Sequence, residues 1–224
     1  ARMVLRRCPE EVQRRYPMSL LRLCYALYGG CEFAEFARQM TRIRELLADS
    51  GAHYLGEWEL LDALAFFPDL DGMDAAYARA EKLLTHDSEL FIPEEPFFFG
   101  CTSMWYLFYA EPGQMMATAD RLAQVLKRYD RLTNGHAAGA AELYRGEAYS
   151  VQGRFEESDI QAYQAAFLSE QAHNASATYG AALLLGINAI YRSDMAGLQK
   201  AVDYLENKAR SYAFLRGTAI GRYM

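Results

Sequence analysis

The chain has 224 residues, 52% hydrophobic and 13% aromatic, with 23% charged residues and a formal net charge of −6. It is too apolar to stay disordered and long enough for one large domain or a run of packed repeats. No run of 18 apolar residues could cross a bilayer, and the start, Ala1 to Glu11, lacks the apolar stretch of a signal peptide; a cytoplasmic protein with no membrane partner is expected.

Charge is unevenly placed. Residues 1–44 hold nine Arg against four Glu, whereas residues 45–99 hold thirteen acids against Arg79 and Lys82. Early arginines beside so acidic a segment do not make the unopposed basic patch of a nucleic-acid domain. Cys8, Cys24, Cys31 and Cys101 have neither disulfide density nor CxxC spacing, and read as small hydrophobes in helices.

Proline and glycine cut the chain into helix-sized pieces. Pro9 with Glu10 and Glu11 opens a short helix that Pro17 closes. From Pro17, Leu20, Leu21, Cys24, Leu27 and Tyr28 form one apolar face, and Gly29-Gly30 is the expected left-handed C-cap. A second helix over 31–48 presents Phe33, Phe36, Met40, Ile43, Leu46 and Leu47, which predicts an antiparallel hairpin. Another pair is expected over 53–67 and 73–84, separated by the turn Pro68-Asp69-Leu70-Asp71-Gly72. Residues 85–100, with Pro93, Pro96 and Phe97-Phe98-Phe99-Gly100, read as a long ordered loop. Helix is expected again near Thr102, with Trp105, Phe108 and Tyr109 on its buried side, then after Gly113 to about Leu132.

The last ninety residues carry the clearest pattern. Helices predicted over 135–151 and 155–169 overlay those over 176–191 and 195–213 at an offset of 40, which places Gly146 on Gly186, Ala162 on Val202 and Ala165 on Leu205. Small residues inside apolar helices allow close approach, and a two-helix period of this length marks a helical-repeat solenoid.

Motifs of chemistry are sparse. The sequence has no P-loop, GxSxG elbow, HExxH helix or EF-hand loop. Glu170-x-x-His173 lacks the second copy that a helical di-metal site needs, and His53, His86 and His136 have no Cys or His companion at ligand spacing, so no metal site and no catalytic residue is expected. Glu57 with Asp62, or Glu94 with Glu95, are the carboxyl pairs on which an alternative, a helical carbohydrate-active enzyme, would rest. Tyrosine supplies apolar area with a hydroxyl, so Tyr106 and Tyr144 are expected on an exposed inner face, with Arg145 and Tyr149 completing a candidate ligand site. Arg145 reads first as an ordinary ion-pair partner of Glu142 or Glu147, ahead of its ligand role.

The run from Tyr129 to Glu142, followed by Tyr144-Arg145-Gly146-Glu147-Ala148 and Gly153-Arg154-Phe155-Glu156-Glu157-Ser158, resembles the tetratricopeptide-like sensor region of the large LuxR-type bacterial transcriptional regulators related to the maltose regulator MalT. Pro17 to Met40 and Phe99 to Pro112 are similar to other parts of that region. Arg145, where the usual repeat has leucine, and Ser158, where it has alanine, depart from it.

The resemblance implies an all-α chain, a right-handed superhelical stack of antiparallel helix hairpins. Residues 1–100 would form a divergent hairpin region ending in the loop, and 101–224 bridging helices and two repeats, as one continuous solenoid. The chain would then be a fragment that senses a small-molecule inducer, a peptide or a partner within a DNA-binding regulator. It has no cofactor of its own; ATP would belong to an upstream ATPase domain and DNA contact to a helix-turn-helix domain. Those domains of the same protein would be its partners. The alternative is a stand-alone adaptor for protein–protein contacts.

Overall fold

Apolar residues recurring at three and four positions dictate helices, and all the regular secondary structure of the computed structural model is helical, with no strand among the described residues. The described residues are 1–92, 95, 97, 99, 104–109 and 111–211, without the side chains of 105 and 209–211. The chain divides into two compact units. One comprises residues 1–92 with 127–135, and the other the described residues of 93–126 and 136–224.

The first unit contains α1 (Arg2–Arg7), α2 (Glu10–Arg15), α3 (Pro17–Gly29), α4 (Phe33–Leu46), α5 (Ala52–Asp62) with a 3-10 turn (Ala63–Phe66), α6 (Leu70–Leu83), and the end of α7 (Met115–Leu132). α3 packs on α4 and α5 on α6, while α5 also touches α3 and α4. Leu21, Cys24, Leu27, Ile43, Leu60 and Leu61 are fully enclosed. Each buried leucine contributes about 1.5–3 kcal/mol over its exposed state. The Trp58 indole N–H donates to the Met40 carbonyl at 2.9 Å, so its polar edge is satisfied inside the core.

Polar side chains hold the rest of this unit. Glu35, nearly buried on α4, receives hydrogen bonds from Arg6 (2.9 Å), Arg38 and Gln39 (2.9 Å). The Arg6 and Gln39 hydrogen bonds, with the nearby charge of Arg38, hold its carboxyl down to about 2. Arg128 on α7 pairs with Asp74 and, at 3.4 Å, with Glu81 on α6. Glu57 on α5 is 0% exposed and organises the loop after α6. It accepts from Ser88 Oγ at 2.6 Å, the Glu89 N–H at 2.5 Å and the Leu90 N–H at 3.3 Å.

The second unit is built on small residues. Here α8 (Ala140–Val151), α9 (Phe155–Gln171), α10 (Ala175–Tyr191) and α11 (Met195–Ser211) pack each on the next, and α8 also touches α10. Leu143, Ala162, Ala165, Ala181 and Leu184 form the core between them. A Cβ on Gly146 would lie 2.8 Å from Leu184 Cδ2 and 3.2 Å from Gln161 Cβ, so glycine sets the helix spacing there. Gly186, forty residues on, is also buried but would meet nothing nearer than 3.6 Å. This consecutive packing is that of a generic helical-repeat protein.

The turns repeat too. Gly153 (φ 75°), His173 (φ 59°) and Ser193 (φ 57°) are left-handed at twenty-residue intervals. After each, the next N–H bonds back to the carbonyl five residues earlier: Arg154 to Tyr149 (3.0 Å), Asn174 to Ser169 (2.8 Å) and Asp194 to Ala189 (2.8 Å). This Schellman arrangement satisfies the orphan carbonyls at each helix end.

Several local expectations are corrected. α3 ends in the same motif, but Cys31 (φ 58°) takes the left-handed position and Gly30 (φ −84°) does not. α6 begins at Leu70 because the Asp69 side chain accepts the Asp71 N–H at 3.1 Å, which turns the expected loop into an N-cap. α8 begins at Ala140, since Gly135 and Gly139 both adopt positive φ. Between residues 104 and 109 only a 3-10 turn, Met104–Leu107, is formed; Phe108 is buried as expected, while Thr102 and the Trp105 side chain lie outside the described residues. Cys24 is an enclosed thiol that burial pushes up to about 12, whereas Cys31 is exposed in a turn and Cys101 lies outside the described residues.

Candidate functional site

Two helices of the second unit, α8 and α10, line a groove of about 520 Å³. α8 contributes Glu147, Ser150 and Val151, and α10 contributes Leu184, Ile187 and Tyr191, with Phe155 at the start of α9 and Tyr106 from the 3-10 turn. Glu147 and Ile187 are forty residues apart, as are Val151 and Tyr191. The groove is therefore lined by positions that the forty-residue offset superposes.

Its walls are aromatic and exposed. Tyr191 is 69% exposed and stacks on Phe155 with ring centroids 5.8 Å apart and planes 17° from parallel; Tyr106 is 43% exposed. Partial burial, then the charge of Glu147 and the nearness of Tyr191, raise the Tyr106 hydroxyl above its ordinary value, so it remains a donor at neutral pH. Glu147, 4% exposed, supplies the single carboxyl among the residues described as lining this groove. A carboxyl lining the same groove as aromatic rings suits an extended segment carrying a cationic side chain.

Beneath the groove a polar network fixes the three helices. Asn188 on α10, fully buried, accepts from Ser150 Oγ at 2.6 Å and donates to Ser158 Oγ and Asp159 Oδ1, both at 2.8 Å. Arg192 closes the chain of contacts on Asp159 Oδ2 at 2.7 Å. With its amide oxygen and both amide hydrogens used, Asn188 links α8, α9 and α10 at little desolvation cost. Asn174 does the same at the other end: it caps α10 through Ala177 and donates to the carbonyls of His136 and Ala138, each at 3.1 Å.

Of the four residues expected at a ligand site, the groove includes Tyr106 alone. Tyr144 was expected on the exposed face and is 0% exposed, because its position in the repeat matches Leu184, an inward core position. Arg145 pairs with Asp120 of α7 at 2.8 Å and not with Glu142 or Glu147. Tyr149 lies under the Arg154 guanidinium, 4.4 Å from its ring centroid. Glu147, Phe155, Ile187 and Tyr191 were missed. The forty-residue offset held the signal, since it superposes the two wall positions of α8 on those of α10.

The carboxyl pairs considered for an enzyme are also placed. Glu57 is committed to the loop after α6, and Asp62, on the same helix, has its carboxyl raised by burial and by Glu59. Glu59 itself pairs with Arg79 at 2.7 Å, and Glu94 lies outside the described residues. Among the described residues no helix is long and apolar enough to cross a membrane. No protein-family model matches the chain, and neither does any curated protein or solved structure.

Proposed function

We propose that this chain is a helical-repeat interaction module that holds an extended, basic segment of a partner protein in the α8–α10 groove. The observation that carries the reading is the groove itself: positions forty residues apart on α8 and α10, aromatic rings held in the open, and one carboxyl in the lining. Exposed tyrosine and isoleucine at a concave face are the residues from which binding hot spots are made. A second exposed row, Ile160, Tyr163 and Phe167 at helical spacing on α9, adds apolar surface of the kind that marks contact with other proteins. In this reading the module binds and does not catalyse, and its setting is cytoplasmic.

Selection from a displayed library of extended peptides tests it. Binders enriched in Lys or Arg are expected, with Tyr191→Ala or Ile187→Ala weakening a selected peptide at least about tenfold. Glu147→Gln should remove the basic preference. A library that yields no binder, or binders indifferent to all three changes, refutes the reading.

The finer proposal is that this module is the sensing segment of a LuxR-type transcriptional regulator, its helix pairs forming a right-handed superhelix of tetratricopeptide type. Support for it comes from the likeness of residues 129–158 to that family. The complete reading frame tests it: a P-loop upstream and a helix-turn-helix downstream are expected, and other flanking domains would leave only the adaptor reading.

A further inference from the structure

Two imidazoles that are 33 residues apart in the chain meet in the first unit. His53, in the first turn of α5, and His86, in the loop after α6, stack with ring centroids 3.9 Å apart. Glu89 completes the group: one donor atom from each of the three side chains lies within 4.8 Å of the other two. We propose that His53, His86 and Glu89 form a binding site for a transition-metal dication, with Zn²⁺ as the ion their chemistry favours.

The ring nitrogens are arranged for it. His86 Nδ1 lies 2.9 Å from the Asp87 carbonyl, which can only accept; Nδ1 therefore carries the hydrogen and Nε2 keeps its lone pair. Backbone carbonyls orient metal-bound histidines in this way. His53 Nε2 is buried without a hydrogen bond, 3.5 Å from Glu57 Oε1. Its Nδ1 accepts the Thr85 N–H at 3.5 Å and so keeps its lone pair, which a cation would take over from that long contact while the Nε2 hydrogen faces the Glu57 carboxylate.

The frame of the site is held independently of any ion. Glu57 binds the loop through Ser88, Glu89 and Leu90, the Ser88 N–H donates to the Leu132 carbonyl at 2.8 Å, and Arg22 donates to the Glu89 carbonyl at 2.8 Å. Ligands on one tetrahedral zinc are roughly 3.3 Å apart, given Zn–N and Zn–O bonds of about 2.0–2.1 Å. The remaining closure falls to His86 and Glu89, whose side chains are exposed and able to move. Two imidazoles and one carboxylate leave a coordination position for water and favour zinc over magnesium or calcium, which take all-oxygen sets. The segment around the site, residues 45–99, is also the strongly acidic part of the chain, which attracts cations.

Titration of the full chain with Co²⁺, read by its visible absorption, tests the site. One ion per chain is expected, displaced by Zn²⁺ and unaffected by excess Mg²⁺. His86→Ala should lower affinity at least about a hundredfold, more than loss of a supporting group costs. Glu89→Gln should weaken it less, and His173→Ala, a histidine far along the chain in the second unit, should leave it unchanged. Zn²⁺ at a hundredfold excess over its Kd should raise the Tm by about 5 °C in the parent and not in His86→Ala. Absence of binding overturns the proposal. So does binding of equal strength in folded His86→Ala, which carries the same thiols and would mark an adventitious ion.

Discussion

The two units solve the same problem, bringing helices together, by different means. The first packs large side chains and satisfies what they leave with buried or half-buried charge: Glu57 under a loop, Glu35 among arginines, and Arg128 between Asp74 and Glu81. The second uses alanine and glycine at the helix crossings, and its buried polar contacts centre on the neutral amides of Asn174 and Asn188, with Asp159 as a charged partner of Asn188. Small residues permit a geometry that can be repeated, and repetition produced the groove. Large residues and buried carboxylates make contacts specific to one place, and one such place gathered two histidines.

The largest effect should come from filling a close approach in the second unit. Gly139 has φ 83°, and a Cβ there would stand 2.4 Å from the Ala165 carbonyl oxygen. Gly139→Ala is expected to cost about 3–4 kcal/mol in denaturant unfolding, because backbone strain and a backbone clash coincide. A cost below about 1 kcal/mol would mean that the small-residue spacing does not govern this unit.

Next come the two polar anchors. Glu57→Ala removes an acceptor from the Ser88 hydroxyl and from the Glu89 and Leu90 N–H groups, and Asn188→Ala removes a partner from Ser150, Ser158 and Asp159, the last of which keeps Arg192. Each should cost about 2–3 kcal/mol by chemical denaturation. Hydrogen exchange sharpens the comparison: Glu57→Ala should expose the amides of residues 88–91, and Asn188→Ala those of α8 and α10. The reverse pattern would show that the anchors were assigned to the wrong elements.

Acid should weaken the first unit through Glu35. Its folded carboxyl is held down to about 2, below an unfolded value near 4.5, so it favours folding above that unfolded value. The contribution is lost as pH falls from about 4.5 towards 2. Glu35→Gln, followed by circular dichroism, should reduce stability at pH 7 and flatten the decline over that window. An unchanged acid limb would dismiss the arginine cluster as a stabilising feature.

The smallest effect concerns the repeated turns. Ser193 and His173 hold a conformation that glycine adopts without strain, as Gly153 does in the same motif. Ser193→Gly and His173→Gly should each stabilise by about 0.5–1 kcal/mol in thermal melts. Destabilisation by either would show that the side chain makes a contact worth more than the relief.

Much of the fold was legible because the signals are local. The face of α3, most of that of α4 and the break between the helices over 135–151 and 155–169 follow from spacings within a turn or two, and the forty-residue offset follows from repetition of that local pattern. α1 was not foreseen, since only Leu5 of its six residues is buried. The candidate site was less legible. Tyrosine chemistry alone points to Tyr144 and Tyr149, whereas the match of Tyr144 to Leu184 assigns it to the core, and the match of Val151 to Tyr191 points to the wall of the groove.

By itself, the sequence determined that the chain is mainly helical and gave most of the apolar stripe of α3 and α4, because hydrogen bonding and side-chain periodicity act over a few residues. The ends of α3, α6 and α8 were set by turns and caps it did not show. Only the tertiary structure decided that Glu57 would support a loop thirty residues away, that His53 would face His86, and that Tyr106 would share a groove with Tyr191. Such meetings depend on how whole helices pack, and spacing along the chain does not carry that information across a turn.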